Sequence, residues 1–424
     1  MEEDSKALIE LRREFHRLAE PGWMEYRTTE HLIKALQDDR ILLHYGKEIY
    51  AGERLGLPTK EEKERYSSGL HLAIEKAEEV LEGYTGAIAV VETGKEGPTI
   101  GFRFDIDALP LKESTDEDHL PHRLHFESDH LGAMHACGHD GHMAIGIMFT
   151  KWLAQHAKQL KGKFIVVFQP AEEGVRGANA LVNGKWLEQV DYFFGMHIGM
   201  GLASGKICVG TEDILATEKI DAIFTGKSAH AGAHPEEGRN AILAAASAVL
   251  GLHSLPQDAN GLARINVGKI EGGSGRNIVA NHAQLALEIR GSNERVMEDL
   301  KAGVKRILEG AAIQYGCHLE SSCKGRAEAW YDKDKLFHDQ LTIFLQNKGY
   351  ALSDFSMKGS EDVALFLNRV QEHGGKAMHF MLGSDLKAAH HQEAFDFNEE
   401  DLITGLDLFK DLVRFLMTNP IGNK

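Results

Sequence analysis

The sequence predicts an α/β protein whose mostly parallel sheet carries an inserted ferredoxin-like domain. Its 424 residues exceed the usual length of one domain, which favours two. Between 85 and 198, β-type runs alternate with helical runs, as in a parallel sheet covered by helices. From 217 to 326 the order changes to β-α-β-β-α-β, the ferredoxin-like order. We therefore expect a discontinuous larger domain at 1–213 and 328–424, interrupted by an inserted domain at 214–327.

The larger domain is expected to begin with a helix. Apolar residues recur at helical spacing from Leu8 to Leu18, and Pro21 ends the pattern. The polar stretch 39–83 predicts an inserted surface loop followed by a helix. The runs TGAIAVVET and PTIGFRFDID predict strands, and a polar loop at 112–132 leads to the sequence MHACGHDGH.

Beyond that motif the runs alternate in type. AIGIMFTKWLAQ predicts a helix, KFIVVFQP a buried strand, GANALVNGKW the start of a helix and DYFFGMHI a further strand. The inserted domain reads as strand KIDAIFTG, helix GRNAILAAASAVLGL, strands ARINVGKIEG and HAQLALEIRG, helix VMEDLKAGVKRILEGAAIQYG and strand CHLESSCKG. From Ala327 the chain returns to the larger domain and ends with an amphipathic helix, DLITGLDLFKDLVRFLMTN.

Composition excludes several functional classes. The net charge of −17 opposes binding to the phosphates of nucleic acid, which basic residues neutralise. Four cysteines in so long a chain do not form a disulfide framework and favour a reducing compartment. No run approaches the ~20 apolar residues of a membrane span, and the charged N-terminal sequence is not a classical signal. We therefore expect a soluble, cytoplasmic protein with no nucleic-acid or membrane partner.

The sequence HACGHDGH suggests a metal site. Its cysteine and two of its three histidines, Cys137, His135 and His139, lie within five residues, and Gly138 favours a tight turn before the following helix. Thiolate and imidazole together select zinc or a similar transition metal. The alternative interpretation is a strand-to-helix turn whose histidines only cap or pack.

A second feature follows one strand later, where QPAEEG presents the adjacent carboxylates Glu172 and Glu173. Adjacent side chains at a strand end point in opposite directions, so one carboxylate can bind a metal while the other addresses a water molecule. Hydrolysis needs this combination of a Lewis acid and a proton acceptor. Acidic pairs on solvated turns are common, and the position after the cysteine-histidine turn is what strengthens the assignment.

Further histidines follow other predicted strands. His197 follows the apolar run DYFFGM, and His390 and His391 precede a strand-and-turn pattern. Taken singly, such residues are more often core or surface histidines. Together with the earlier residues they supply five candidate ligands at strand ends, enough for two metals that share a bridging thiolate. Asp107, at the end of its own strand, is expected to orient a ligating imidazole, and a simple turn is the alternative.

These motifs, in this order, resemble the amidohydrolase branch of the di-metal aminoacylase and carboxypeptidase clan, which includes auxin-conjugate and hippurate hydrolases. The similarity covers nearly the whole chain through DIDALPLKE, HACGHDGH, FQPAEEG, GMHIG, GKSAHAGAHPEEGRNAI and GRNIVANHAQL. The stretch 39–83, with RLGLP and EGYTG, further resembles the group of aminobenzoyl-glutamate and indoleacetyl-aspartate hydrolases. The resemblance departs from the family at Ala280, where proline is usual.

The resemblance implies a role for each matching residue. It makes Glu172 the base and His230 a second catalytic group, one that reaches a neighbouring subunit's site to stabilise the oxyanion. Asn277 and Arg290 resemble substrate-binding positions, and Arg276 adds a guanidinium where many relatives have an apolar residue. The implied metal ligands are Cys137, His139, Glu173, His197 and His391. His391 is chosen as the last ligand because it stands four residues before Phe395, and its neighbour His390 is the fallback.

These assignments lead to one functional hypothesis. The larger domain is expected to be a di-metal catalytic domain with two zinc or manganese ions, and the inserted domain a lid and dimerisation domain. The expected reaction is hydrolysis of the amide bond of N-acyl amino acids, with aminobenzoyl-glutamate or a similar acyl-glutamate or acyl-aspartate as substrate. A homodimer, or a heteromer with a related subunit, is expected. The alternatives are a dipeptidase, an N-acyl-diaminopimelate-type deacylase and a catalytically silent metal-binding homologue.

Overall fold

The computed structural model describes residues 2–256 and 258–418. Its helices are α1 (Glu2–Leu18), α2 (Tyr26–Ala35), α3 (Lys60–Ser67), α4 (Ala77–Leu81), α5 (Leu120–Arg123), α6 (His139–His156), α7 (Ala178–Leu181), α8 (Ala241–His253), α9 (Glu294–Tyr315), α10 (Lys335–Asn347), α11 (Val363–Glu372) and α12 (Leu402–Thr418). Its strands are β1 (Leu42–Tyr45), β2 (Ala87–Glu92), β3 (Thr99–Asp105), β4 (Lys163–Gln169), β5 (Tyr192–Ile198), β6 (Lys206–Val209), β7 (Glu212–Ile214), β8 (Ala216–Thr225), β9 (Ala263–Gly272), β10 (His282–Gly291), β11 (His318–Ala327), β12 (Ala351–Leu352), β13 (Ser356–Gly359), β14 (Lys376–Leu382), β15 (Leu386–Ala388) and β16 (Asp396–Phe397).

The chain forms two compact units. Unit 1 comprises Met1–Glu212, Tyr331–Met357 and Asp362–Lys424, and unit 2 comprises Asp213–Trp330 and Lys358–Glu361. Unit 2 therefore interrupts unit 1, and it also takes a four-residue piece from the later part of the chain. None of the helices within the described residues is long and apolar enough to cross a membrane.

Unit 1 is built on a sheet of order β1-β2-β4-β3-β5-β14-β6-β12. Its central strands β4, β3, β5 and β14 run parallel to one another, and antiparallel pairing occurs on either side of them. These central strands are almost wholly buried, which explains their continuous apolar sequences, because helices cover both faces of a parallel sheet. The predicted α/β class with a mostly parallel sheet is confirmed, and the carboxyl ends of β3, β4 and β5 bring Asp105, Gln169 and Ile198 to the same edge.

Unit 2 has the predicted ferredoxin-like order, β8-α8-β9-β10-α9-β11. Its strands form an antiparallel sheet of order β11-β8-β10-β9. Buried and half-buried residues alternate along β10, and the buried ones pack with apolar residues of α8 and α9 into a core of their own. One face of this sheet is thus covered by helices and the other carries polar side chains, which matches the period-2 pattern of HAQLALEIRG.

The expectation for 39–83 was wrong in part. Helices α3 and α4 are present, but the stretch also contributes β1, which pairs antiparallel with β2 at the edge of the unit 1 sheet. Its first residue, Leu42, is 58% exposed, so the strand lacks the buried apolar alternation by which strands are recognised in sequence. The stretch is therefore part of the unit 1 framework rather than a surface addition.

Candidate metal centre

Cys137 and His139 lie on either side of the residue that caps the N-terminus of α6. Gly138 occupies the N-cap with φ 89°, a left-handed conformation that a side chain disfavours. A Cβ atom there would also lie 2.5 Å from Cγ2 of Ile198. Glycine at 138 therefore lets the chain turn sharply against the end of β5 and presents both candidate ligands at the same strand edge. Gly141 lies inside α6, where it packs against Phe397.

The turn that follows β4 is held by Asp107. The amide N–H of Glu172 donates to Oδ1 of Asp107 at 3.0 Å, and that of Glu173 donates to Oδ2 at 2.9 Å. The carboxylate thereby fixes the backbone of both glutamates. The main-chain carbonyl of Asp107 accepts from Nδ1 of His139 at 2.8 Å, and Oδ1 of its carboxylate lies 3.4 Å from the same nitrogen.

The hydrogen bonds of two histidines determine which ring nitrogen faces the cluster. Nδ1 of His139 donates to Asp107 and Nδ1 of His197 donates to the carbonyl of Ile198 at 2.9 Å. When each ring is neutral, as a metal ligand must be, Nε2 is therefore the nitrogen that carries the lone pair. Nε2 of His139 is buried and has no hydrogen-bond partner. A buried acceptor of this kind is costly unless a ligand occupies it, which fits a metal ion.

Two separations match those of ligands on one tetrahedral ion. Nε2 of His197 lies 3.5 Å from Sγ of Cys137, and Nε2 of His391 lies 3.3 Å from Oε1 of Glu173. Sulfur, nitrogen and oxygen atoms bound at about 2.0–2.3 Å and at tetrahedral angles stand roughly 3.3–3.6 Å apart. Oε1 of Glu173 is also buried without a hydrogen-bond partner. The residues present therefore fit a metal centre.

Ligand atoms of the cluster fall into two overlapping groups. Within each, the candidate atoms lie within 4.8 Å of one another: Cys137 with His139 and Glu173, and Cys137 with His197 and His390. Cys137 is common to both groups, as a bridging ligand must be.

Both histidines of the final pair, His390 and His391, approach this cluster. Nε2 of His390 lies 3.2 Å from the carbonyl oxygen of Ile198, a contact in which that nitrogen donates. His391 has φ 63°, and its side chain is 53% exposed where it meets Glu173. His390 thus already uses Nε2 within the protein, whereas His391 offers Nε2 beside a carboxylate that lacks a partner. The choice of His391 stays a prediction.

Electrostatics favour a cation at the centre. Burial alone would lower the pKa of His139, but the carboxylates of Asp105 and Asp107 raise it to about 10. Burial holds the pKa of His197 well below its usual range, so this imidazole is neutral. The charges of His139 and Arg103, with a hydrogen bond from His142, hold the pKa of Asp105 well below its usual range despite burial. An anionic Asp105 beneath the cluster attracts positive charge to it.

Several residues that the sequence did not identify support the site. His142 is excluded as a ligand, because its Nε2 accepts from the amide of Ile198 at 3.1 Å and its Nδ1 bonds Asp105. Glu25, wholly buried, accepts from the amide of Ala171 at 2.8 Å and so holds the start of the glutamate turn. No local signal marks Glu25, since its partner lies 146 residues away in sequence and is a backbone group.

The candidates of the inserted domain lie together in unit 2, with one exception. A bridge between His230 and Ile278, with Ala231 donating to the carbonyl of Asn277 at 3.0 Å, brings His230 and Asn277 onto adjacent segments. Arg276 precedes Asn277 and is exposed. Arg290 lies on β10 instead, where its guanidinium pairs with Glu288 at 3.0 Å.

The arrangement of carboxylate, thiol and imidazole at the edge of this sheet defines a class, the metal-dependent hydrolases of amide bonds. The chain belongs to the peptidase family M20/M25/M40, whose profile matches residues 101–414. It is 39% identical over 420 residues to a homologue of one p-aminobenzoyl-glutamate hydrolase subunit from Haemophilus influenzae, covering 98% of this chain and 99% of that protein. It is also 39% identical over 406 residues to the indole-3-acetyl-aspartic acid hydrolase of Enterobacter agglomerans, covering 92% of each chain.

A solved structure gives the same result. The aminobenzoyl-glutamate utilization protein of Klebsiella pneumoniae superimposes with a TM-score of 0.81 at 32% identity, covering 98% of this chain and 96% of that one. The predicted membership of the amidohydrolase branch is therefore confirmed, and the chain is a metallo-amidohydrolase.

Proposed function

We propose that this protein hydrolyses N-acyl glutamate or aspartate, with p-aminobenzoyl-glutamate as its best substrate, and that it does so with two zinc or manganese ions. The observation that carries the proposal is the pair of overlapping ligand groups that share Cys137. Names of relatives that are 39% identical support the substrate class. The proposed ligands are Cys137, His139, Glu173, His197 and His391.

When bound, the two ions would polarise the amide carbonyl and lower the pKa of the attacking water. Glu172 would accept the proton of that water and return it to the nitrogen of the departing amine. Its amide N–H donates to Asp107 at 3.0 Å, which fixes the main chain that carries this carboxylate. Glu172 is only 6% exposed, which keeps competing solvent from the proton.

His230 would stabilise the oxyanion. Its Nδ1 accepts from the amides of Gly232 at 3.1 Å and Ala233 at 3.0 Å, so Nε2 of the neutral ring carries the proton. A neutral imidazole held in this tautomer is a hydrogen-bond donor at Nε2, which is what a developing oxyanion requires.

The substrate class is tested with a panel of amides. The metal-loaded protein is incubated with p-aminobenzoyl-glutamate, indole-3-acetyl-aspartate, an acyl-alanine, N-acetyl-diaminopimelate and a dipeptide, and the freed amines are quantified. We expect the acyl-glutamate and acyl-aspartate to give the highest kcat/KM. Preference for the dipeptide or the diaminopimelate derivative would support the alternative of another hydrolase of this clan. No turnover of any amide by fully loaded protein would support a silent homologue.

Arg276→Ala should lower kcat/KM for acyl-glutamate by about ten- to a thousandfold and barely affect acyl-alanine. Arginine pairs with carboxylates through two parallel hydrogen bonds, so Arg276 would hold the side-chain carboxylate of the substrate while Asn277 or Arg290 addresses the α-carboxylate. Since Glu288 already pairs with Arg290, the exposed Arg276 has the freer guanidinium for this task. Steady-state kinetics with the two substrates measure the difference.

The matched control for this variant is Arg295→Ala, which removes an exposed arginine from α9 of the same unit. It should leave both substrates unaffected. Equal losses on acyl-glutamate and acyl-alanine in Arg276→Ala, or no loss on either, would refute the assignment and leave the preference for acidic amino acids without a residue to explain it.

We also expect a dimer that forms through unit 2. Strand β9 lies at an edge of its sheet and exposes Ile270 by 52%, and a long exposed edge needs covering. Sedimentation should give twice the mass of one chain. Mixing inactive Glu172→Gln with inactive His230→Ala should restore partial activity if His230 serves the neighbouring subunit. Zero activity in verified mixed dimers would contradict that exchange.

Two further features of the proposal concern the cellular setting. The Haemophilus influenzae relative is named after one subunit of its hydrolase, which supports the alternative to a homodimer, a heteromer with a related chain. Co-purification from the native host distinguishes a single band from two. A cytoplasmic location stays a prediction, which cell fractionation with an antibody to this chain would test.

A further inference from the structure

One arginine of α1, Arg12, lies wholly buried among three carboxylates that are distant in sequence. Its Nε donates to Oδ2 of Asp140 at 2.8 Å, and its Nη2 donates to Oδ1 of Asp396 at 2.6 Å. Its Nη1 donates to Oε1 of Glu399 at 3.0 Å. Each nitrogen of one planar group thus holds a different carboxylate, and all four residues belong to unit 1.

The first of these carboxylates belongs to a segment that carries proposed metal ligands. Asp140 directly follows His139 in the first turn of α6. Its Oδ2 accepts from Arg12 and also lies 2.8 Å from Nδ1 of His16, a second residue of α1. The N-terminal end of α6, and with it Cys137 and His139, is therefore held against α1.

The second carboxylate belongs to the segment that carries the final histidine pair. Asp396 lies in β16, five residues after His391. Its Oδ1 accepts the amide of Phe397 at 3.0 Å as well as Nη2 of Arg12. The guanidinium carbon of Arg12 lies 4.5 Å from the ring centroid of Phe397. Residues 390–397 are thus fastened to α1 at their far end.

The two ligand-bearing segments also meet each other directly. The amide of His391 donates at 2.8 Å to the carbonyl of Ala136, the residue before the proposed bridging cysteine. A single hydrogen bond fixes a point of contact but not the angle between two segments, so their orientation depends on further attachments. Arg12 supplies one of these through Asp140 and Asp396.

The guanidinium is chemically suited to this task. Its rigid, planar fork fixes several donor directions at once, whereas a lysine ammonium would supply the charge without the directions. A buried ion pair is in itself weak evidence for stability, because the desolvation of the charges offsets much of their attraction. One cation shared by three carboxylates on separate stretches of chain is better explained by the geometry that it imposes.

We propose that Arg12 is a positioning residue of the metal centre, which sets the placement of the final histidine pair relative to Cys137 and His139. This role rests on the ligand set of the proposed function. It makes the guanidinium a determinant of the affinity for one ion, the ion that the last histidine ligand binds. The other ion should be little affected, because its remaining ligands lie outside residues 390–397.

Arg12→Lys tests this role through metal binding. The metal-free protein is titrated with Co²⁺, whose absorption bands report thiolate and imidazole ligation, and the two dissociation constants are determined. We expect one constant to rise about ten- to a hundredfold, the usual effect of removing a group that orients a ligand, and the other to stay within about twofold. A residue that only stabilised the fold would change both constants together or neither.

The matched control is Arg17→Lys. Arg17 lies on the same helix, but its Nη2 donates to the carbonyl of His125 at 2.9 Å, which belongs to neither ligand-bearing segment. Both dissociation constants should stay at their wild-type values in this variant. His391→Ala identifies the ion concerned, because the constant that Arg12→Lys raises should belong to the ion that His391→Ala loses.

Asp396→Asn decides the question if Arg12→Lys does not fold, because Arg12 keeps its other two carboxylates in this variant. Asparagine retains an oxygen that can accept the amide of Phe397, but a neutral oxygen holds a guanidinium more weakly than a carboxylate does. The same constant should rise, by less than in Arg12→Lys. The double variant should equal Arg12→Lys alone, since residues that act through one bond are not additive.

The outcomes separate the role of Arg12 from the function on which it rests. Selective weakening of the ion that His391→Ala loses supports the positioning role. Wild-type affinity for both ions, or equal loss of both, overturns it, in folded Arg12→Lys or otherwise in Asp396→Asn. A wild type that binds two ions but cleaves none of the N-acyl amino acids overturns the proposed function and leaves the role of Arg12 intact. A wild type that binds fewer than two ions overturns both.

Discussion

Glu172→Gln is expected to lower kcat by at least about a hundredfold and to leave the fold and the metal content unchanged, because proton transfer by a positioned base contributes at least this much. Glutamine keeps the size of the side chain, and the amide of residue 172 still donates to Asp107. The carboxylate lost is the one that moves protons, since Glu173 is the glutamate that faces His391. Steady-state kinetics and elemental analysis of the purified variant measure the two properties.

Two controls sharpen this experiment. Glu188→Gln removes an exposed carboxylate from the same unit and should leave kcat unchanged. Glu173→Gln should lower both metal content and kcat, because its Oε1 is an expected ligand. A fully active Glu172→Gln variant would mean that Glu173 or another group is the base. It would overturn the assignment of Glu172 as base and Glu173 as metal ligand.

The sequence predicted those features of the site that are local. Gly138 and its neighbours could be interpreted as a ligand-bearing turn because Cys137 and His139 are adjacent to the glycine that makes the turn. The predicted strands ARINVGKIEG and HAQLALEIRG coincide with β9 and β10. They could be recognised because each strand carries its own alternating pattern and turn residues lie between the two. Local patterns suffice where a residue's environment is set by its immediate neighbours.

Features that depend on distant backbone groups could not be predicted. Beside the imidazole that the carboxylate of Asp107 was expected to orient, this carboxylate accepts two amides that lie 65 and 66 residues away in sequence. Glu25 acts in the same way on the glutamate turn, through an amide that lies 146 residues away. A backbone N–H or carbonyl has no residue type, so no side-chain pattern identifies it as a partner. The choice between His390 and His391 depends likewise on a distant backbone group, because the carbonyl of Ile198 accepts from Nε2 of His390.

Cys137→Ala is expected to remove both metal ions and with them the activity. Its Sγ belongs to the group that contains His139 and Glu173 and to the group that contains His197 and His390. Each ion would lose one of its few protein ligands, and the two would lose the anion that offsets their mutual repulsion. Elemental analysis after dialysis should therefore fall from two ions per chain toward none.

Further variants of this cluster separate bridging from simple ligation. His197→Ala removes an imidazole from the group that contains His390, and His391→Ala removes the imidazole that lies 3.3 Å from Oε1 of Glu173, so each should weaken the binding of one ion more than the other. Cys323→Ala, a partly buried cysteine of unit 2, should change nothing and controls for loss of a thiol. If His390→Ala rather than His391→Ala lowers the metal content, the last ligand is His390, and the bridge at Cys137 is unaffected.

The decisive comparison is between Cys137→Ala and the single-imidazole variants. A terminal thiolate would bind one ion alone. Its removal would then leave the ion that it does not bind at full occupancy, just as His197→Ala should leave the ion that His197 does not bind. A bridging thiolate makes the two sites dependent on one another, because each ion's coordination and charge balance include the same sulfur. Retention of one unaltered ion in Cys137→Ala would therefore refute the bridge, even if catalysis were lost. Hydrolysis would fail with a terminal thiolate and with a bridging one, so only the number of ions per chain distinguishes the two.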